Sequence, residues 1–477
     1  MGSIKNNNSR RDFIRKTSLS ATGLILLPSF LKASKGLIAG ANEKVNLACI
    51  GIGNRGGEII GEFGKTGLAN IVALCDVDMG APQTAKVMNM FPAAKRFQDF
   101  RKMFDQMGNQ IDAVCIGVPD HSHFPITMHA MMLGKHVYVE KPLARTFREN
   151  ELLMKAARKY NKVVTQMGNQ GHSEANYFQF KTWVDSGIIK DVTKITAHMN
   201  SPRRWHGWDP AIKSLPAMES TPATLDWDLW HSAVRKQHDY NKDFINGQWR
   251  CWYDFGMGAL GDWGAHILDT AHQFLDLGLP EEVNSLKSTG HNNFFFPMSS
   301  TIEFKFPKRG DKPPVTITWY DGIDNLPPIP EGYGVSGLDP NIPPPSTGTM
   351  EPVKLNPGKI IYSKDLTFKG ASHGSTLSII PEDKARDMQS QLPQVPLSTS
   401  NHYKNFLLAC KGLEETRSPF EIAGTLSQVF SLGVLAQQTN GQLSFDRNKK
   451  KITNHSIANS LLEGPPPRKG WEQYYKV

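Results

Sequence analysis

Cysteine is scarce. The 477 residues hold five, Cys49, Cys75, Cys115, Cys251 and Cys410. No two stand at CxxC spacing and no set matches a zinc pattern, which excludes a disulfide scaffold, a dithiol redox site and a structural zinc site, and no metal is expected. Cys49, Cys75 and Cys115 lie in short apolar runs and read as small buried hydrophobes. Long apolar runs are also missing. The longest, Leu19 to Leu31, has 13 residues, too few to span a bilayer as a helix, so no stable membrane anchor is expected. A basic stripe is missing too. The formal net charge is +9, but residues 1–41 carry +6 of it, and a nucleic-acid partner is excluded. No internal repeat is visible. With 39% apolar residues the composition is that of an ordinary globular protein of two or three domains.

The basic N-terminus has an order. Ser9-Arg10-Arg11-Asp12-Phe13-Ile14-Arg15-Lys16 is followed by a moderately apolar stretch, then by the small triplet Ala39-Gly40-Ala41. Basic, apolar and small-residue regions in that order mark a secretory signal. This one resembles a twin-arginine signal, whose cargo crosses the membrane folded. Residues 1–41 are therefore set aside as an export signal, and a periplasmic address is expected.

Beyond it, short apolar runs alternate with helical patterns. Val45–Ile50, Ile71–Leu74, Ile111–Ile116, Val137–Val139 and Val163–Gln166 read as strands. Thr146 and Glu149 form a Thr-x-x-Glu capping box that opens a helix to about Tyr160. This alternation predicts a doubly wound parallel sheet over residues 42–168. From about residue 190 the pattern changes. Lys194–Met199, Ser300–Phe306, Val315–Tyr320 and Lys359–Phe368 read as strands of a mainly antiparallel sheet. A proline-rich loop covers 326–348, and Asn401–Leu413 and Ala423–Thr439 read as closing helices. Residues 169–477 are assigned to a second, α/β domain for substrate and self-association.

Gly51-Ile52-Gly53-Asn54-Arg55-Gly56 directly follows the first strand and opens a helix. In that setting a GxGxxG turn binds a dinucleotide. The first glycine permits the tight turn, the second lets the backbone approach the diphosphate, and the third lets helix and strand pack closely. Asp76 ends the second strand, 20 residues beyond Gly56, where a carboxylate binds ribose hydroxyls and repels the extra phosphate of NADP. NAD is therefore expected. Arg55 is the counter-signal, since an arginine in this turn can receive a phosphate.

Glu140-Lys141-Pro142 follows a later strand of the same sheet, and ligands bind outside the carboxyl ends of such strands. A lysine there, held against apolar or cationic surroundings, has a lowered pKa and can relay a proton. Far along the chain, Asp262 and His266 stand four apart in a stretch, Gly258 to about Leu277, that reads as one helix. They therefore share a face. Oxidising a carbinol needs a hydride acceptor and a base, and Lys141, Asp262 and His266 are the candidates for that base. A buried core histidine is the competing reading of His266.

These three motifs in this order resemble the glucose–fructose oxidoreductase / inositol dehydrogenase / MocA family, from about Glu43 to the C-terminus. The resemblance implies a Rossmann domain followed by an α/β domain on an open, mainly antiparallel sheet. It implies a catalytic set of Lys141, Asp262 and His266, with His266 the leading candidate for the base, and it lays Pro119–His123 along the cofactor; within that run His123 is the residue expected to line the cofactor groove. The reaction class it implies is pyranose or cyclitol oxidation and reduction. For the substrate the candidates are Asn169 and the cation–aromatic cluster Arg204, Trp205 and His206, for which a domain or subunit contact is an equal reading. A homodimer or homotetramer is expected.

An exported dehydrogenase meets no pool of NAD, so the cofactor would travel inside the folded protein and be regenerated within each cycle. Two chemistries meet that condition. One oxidises a sugar and then reduces a second acceptor. The other oxidises a ring position transiently, eliminates a glycosidic bond and reduces the product, as a redox-neutral glycoside hydrolase or lyase. A sugar-binding protein that retains NAD without catalysis is the third reading.

Overall fold

The structure, a computed structural model, describes residues 43–199, 208–323, 325–334 and 355–477. Strand β1 (Val45–Ile50) shows how the first domain forms. Its side chains alternate between two cores. Val45, Leu47 and Cys49 face one and Ala48 and Ile50 the other, so both faces of the strand are buried. Strands β2 (Ala69–Cys75), β3 (Lys95–Phe97), β4 (Ala113–Ile116), β5 (His136–Val139) and β6 (Thr165–Met167) join it in the order β3-β2-β1-β4-β5-β6. Every pair is parallel. The connections carry helices α1 (Asn54–Lys65), α2 (Pro82–Met90), α3 (Phe100–Met107), α4 (Asp120–Met132) and α5 (Phe147–Lys159). The strand order reverses at β1/β4, and this is where a crevice opens in a doubly wound sheet. At the start of α5 the capping box is complete. Thr146 Oγ1 accepts the Glu149 N–H, and Glu149 Oε2 accepts the Thr146 N–H, each at 3.1 Å.

The second domain begins with α6 (Ala175–Asp185) and β7 (Lys194–Met199). Next come α7 (Trp227–His231), α8 (Gly258–Ile267) and α9 (Asp269–Phe274). Strands β8 (Glu282–Thr289), β9 (Ser299–Phe306), β10 (Val315–Asp321), β11 (Gly358–Tyr362), β12 (Thr367–Ala371) and β13 (Ser378–Ile380) follow. Helices α10 (Glu382–Met388), α11 (His402–Cys410) and α12 (Phe420–Thr439), strands β14 (Gln442–Asp446) and β15 (Lys451–Ile452), and helix α13 (Ser456–Glu463) end the domain. Among the described residues these strands form an open nine-stranded sheet, β13-β12-β11-β7-β10-β9-β8-β14-β15. Its β7/β10 pair is parallel and its other pairs are antiparallel. One face is covered by α8 and α12. Leu260, Trp263, Leu426 and Phe430 share a core with Phe304, Trp319 and Ile361.

The end of the chain returns to the first domain. Tyr403 and Phe406 of α11 pack edge-on against Phe63 of α1, and Phe406 also meets Tyr138 of β5. Tyr474 makes a hydrogen bond with His129 of α4 at 3.0 Å. All five cysteines are free and buried.

Three expectations need correction. The stretch expected as one strand, Lys359–Phe368, is the hairpin β11–β12. Ser363 caps its turn, with Oγ donating to Leu366 O and accepting the Leu366 N–H. The helix expected from Gly258 to about Leu277 is broken at Leu268 into α8 and α9, and Asp269 Oδ1 accepts the N–H of Thr270 at the break. β6 lies at Thr165–Met167, two residues later at its start than expected. The twin-arginine segment and most of the proline-rich loop lie outside the described residues.

Candidate active site

The turn after β1 is built so that only glycine fits it. Gly51 has φ +75°, and a Cβ on it would stand 2.7 Å from the Gly117 carbonyl at the end of β4. A Cβ on Gly56 would stand 1.9 Å from Gly51 O. Asn54, with φ +44°, takes the left-handed conformation that asparagine tolerates. Gly53 precedes α1 and no side chain caps that helix, so its first N–H groups are available to an anion. This is a cradle shaped for a diphosphate, and a dinucleotide fits it.

Asp76 stands at the next strand end. Its Oδ2 accepts the Ile52 N–H at 2.8 Å and its Oδ1 accepts the Asp78 N–H at 3.0 Å. Burial raises its pKa against those two bonds. The carboxylate therefore braces the glycine turn and also borders the groove. Arg55 is not left waiting for a phosphate. Its Nε donates to Glu140 Oε1 at 3.2 Å and its guanidinium reaches Glu58 and Tyr403. Burial works against its charge, but Glu140, the two tyrosines Tyr403 and Tyr138 and Glu58 together outweigh it and the pKa rises. NAD therefore suits the site better than NADP.

These residues line a groove of about 350 Å³ at the β1/β4 crevice. Pro119 precedes α4 and lines it, as does His123. The His123 ring lies 2.7 Å from Pro142 O and 2.9 Å from Val118 O. Burial pushes its pKa down to about 4, so the ring is neutral and donates to only one of the two carbonyls. The opposite wall comes from the second domain, with Leu225, Trp230, Trp249 and Arg250.

Lys141 also lines the groove. Its Nζ donates to Asp262 Oδ1 at 2.7 Å and to Asp262 O at 2.9 Å. The two side chains are only 10% and 8% exposed, so this is an ion pair shielded from water. Burial lowers the Lys141 pKa, and Asp262 acts against that. Arg250 approaches the same carboxylate, Nε to Oδ1 at 3.5 Å, with its guanidinium 4.1 Å from the Trp249 ring.

His266 is one turn beyond Asp262 on α8. It is buried, and its Nδ1 has no hydrogen-bond partner. Burial, then the positive charges of His373 and Lys141, hold its pKa well below the ordinary histidine value. It is near enough to feel Lys141 and Asp262, yet the residues lining the groove include Lys141 and not His266. Asn169 is also buried. Its Nδ2 stands 3.4 Å from Asp269 Oδ2, and its Oδ1 has no partner. Arg204, Trp205 and His206 lie outside the described residues.

Two residues escaped the sequence reading. Arg250 sits in a short turn with no periodic pattern. His373 stands in the turn after β12, and only the folded sheet brings it to His266. Among the described residues no helix is long and apolar enough to cross a membrane, and no cluster of His, Cys, Asp and Glu could hold a metal ion.

A glycine-turn Rossmann domain joined to an open-sheet domain, with a buried lysine–aspartate pair between them, defines a class of dinucleotide-dependent oxidoreductase. Two family models match the chain, the oxidoreductase family's NAD-binding Rossmann fold over residues 45–167 and its C-terminal alpha/beta domain over 174–290, about half of the chain together. The chain belongs to this Gfo/Idh/MocA oxidoreductase family and carries its NAD-binding domain. It is 28% identical over 196 residues to a glycosyl hydrolase family 109 protein of Streptomyces niveus (40% of this chain, 38% of the relative). It is 28% identical over 141 residues to the inositol 2-dehydrogenase of Salmonella typhimurium (29% and 41%). The chain thus spans about two fifths of the length of these relatives. In fold it is similar to the WlbA dehydrogenase of Chromobacterium violaceum, solved with NADH and UDP-GlcNAcA. The TM-score is 0.56 at 15% identity, over 87% of this chain and 99% of the other.

Proposed function

We propose that this protein oxidises and reduces a ring carbinol of a sugar, glycoside or cyclitol, using tightly held NAD. The observation that carries the reading is the largely buried Lys141–Asp262 pair, whose lysine lines the dinucleotide groove. Gly51, Gly53, Asn54 and Gly56 would hold the diphosphate and Asp76 the ribose. NAD, when bound, supplies the two-electron acceptor. Lys141 holds the substrate hydroxyl, and Asp262 fixes Lys141. His266, kept neutral by burial, takes the hydroxyl proton. Asn169, with its unpartnered Oδ1, offers a contact for a second hydroxyl.

The redox-neutral glycoside hydrolase is the second reading. It is supported by similarity to proteins named glycosyl hydrolase family 109 and to an alpha-N-acetylgalactosaminidase of Shewanella oneidensis, 29% identical over 184 residues (34% of this chain, 40% of the relative). One experiment separates the readings. The reduced-nicotinamide absorbance of the purified protein is followed as sugars, cyclitols and aryl glycosides are added. Appearance and loss of the band without aglycone release supports the dehydrogenase. Aglycone release with no net redox change supports the hydrolase. Bound cofactor with no response to any of them supports the non-catalytic reading and overturns both.

The basic N-terminal motif supports export in the folded state to the periplasm. An Arg10→Lys, Arg11→Lys protein that still reaches the periplasm would refute the twin-arginine route. Pairing through the open sheet into a dimer or tetramer belongs to the same reading, and light scattering tests it.

A further inference from the structure

His266 does not stand alone in its pocket. The His373 ring lies face to face with it, centroids 3.9 Å apart and planes 21° off parallel. His373 has a backbone φ of +51°, in the left-handed region that histidine visits more often than most residues, and two hydrogen bonds hold it there. Its N–H donates to His266 O at 3.0 Å, tying the turn after β12 to the end of α8. Its Nδ1 makes a 2.8 Å hydrogen bond with Ser372 Oγ. Trp263 closes the side, edge-on to His373 at 5.2 Å. Next to this turn, Gly171 has no room for a Cβ, which would stand 2.8 Å from Gly374 N. The stack is therefore clamped from α8, from β12 and from the loop after β6.

We propose that His373 is a positioning residue for His266: its stacked ring fixes the plane of the His266 imidazole, and the pair, 3.9 Å apart, carries no more than one proton. Two like charges at that distance repel strongly, so the rings titrate as a unit. Burial and the neighbouring positive charges keep His266 neutral, and His373, half-buried, is the more solvated of the two rings. The other charged groups acting on His266 are Lys141 after β5 and Arg55 on α1, which also oppose its protonation, and Asp262 on α8, which favours it. The inference rests on the base role proposed for His266.

The test uses the full-length protein with NAD bound and two variants. His373→Phe keeps a stacked ring and loses the charge. His373→Asn loses both, and asparagine accepts the positive φ, so this variant is expected to fold. The His266 ring signal is titrated by NMR with ring-labelled histidine, assigned with His266→Gln. Both His373 variants should raise the His266 pKa and move the acid limb of kcat/KM upward by about one pH unit. His373→Asn should in addition lose about tenfold in plateau kcat relative to His373→Phe, because the ring plane is no longer fixed. Unchanged His266 titration in both variants overturns the proposal, as does an acid limb that stays in place. Failure of the wild type to act on any sugar overturns the function proposed above, and the NMR titration then still decides whether the two rings are coupled.

Discussion

Lys141 and Asp262 stand 121 positions apart in the chain and meet at 2.7 Å, with the lysine also bonded to the main-chain oxygen of the same aspartate. One comes from the strand end of the first domain and the other from α8 of the second. The ion pair is therefore also a joint between the domains. A lysine held at two points has lost its rotamer freedom before any substrate arrives, which is the preorganisation a proton-handling group needs.

Lys141→Ala should therefore lower kcat about a thousandfold while NAD stays bound, because the glycine turn and Asp76 are untouched. Steady-state turnover and cofactor content of the purified variant are the two measurements. Activity within tenfold of wild type would remove Lys141 from the mechanism. Asp262→Asn should cost nearly as much, since it leaves a buried ammonium without its counter-charge.

Asp76→Ala should relax the preference for NAD over NADP by about tenfold or more, since it removes a carboxylate that repels the extra phosphate. It should also weaken both cofactors, because Oδ2 accepts the Ile52 N–H of the glycine turn. Competitive binding of the two dinucleotides reads both effects. An unchanged ratio would show that discrimination lies elsewhere.

Much of the first domain was legible because its signals are local. The strand, the glycine turn and the helix that follow one another at Val45–Lys65 are adjacent in the chain, and a Thr-x-x-Glu box needs only four residues. The broken helix at Leu268 was not legible. Apolar residues continue across the break, and the bonds Asp269 makes there, to Thr270 N–H and to His172 of a distant loop, exist only in the fold. The hairpin at Ser363 was hidden in the same way, by a polar turn inside a run of strand formers. In the site, Lys141, Asp262 and His266 stood out because reactive side chains followed recognisable motifs. Arg250 and His373 did not, since each matters only through a partner brought close by folding: Asp262 for one and His266 for the other.

Several buried histidines make stability depend on pH. His121, His198 and His402 each lie 2.7 Å from a main-chain carbonyl, and burial pushes their pKa values down to about 3, 4 and 3. The unfolded chain takes up these protons near the ordinary value of 6.5 and the folded protein does not. Their contribution is thus complete above that value and is lost as pH falls towards the folded values. At pH 5 each costs about 2 kcal/mol, and three together are comparable with the whole stability of a typical domain. The melting temperature should fall steeply between pH 6.5 and 5. A flat profile over that range would contradict the burial of these rings.

The wall of the groove beside Asp76 is fastened by side chains outside the proposed catalytic set, one of which, Gln98, also lines the groove. Gln98 Nε2 donates to Val77 O at 2.9 Å and to Thr224 O at 3.0 Å, bridging the first domain to a segment of the second. Thr224 Oγ1 donates to Asp78 Oδ1 at 2.7 Å, and the Asp226 N–H donates to Val77 O at 2.9 Å. Val77, Asp78 and Leu225 all line the groove, so these bonds strap the segment at 224–226 to the wall where Asp76 would hold the ribose. Gln98→Leu combined with Thr224→Val removes three of the hydrogen bonds, each worth about 1 kcal/mol at most in an exposed setting. Release of NAD, followed by nicotinamide or tryptophan fluorescence after dilution, should be about tenfold faster or more, with little change in melting temperature. An unchanged release rate would mean that the strap is not what retains the cofactor, and that the glycine turn and Asp76 hold it alone.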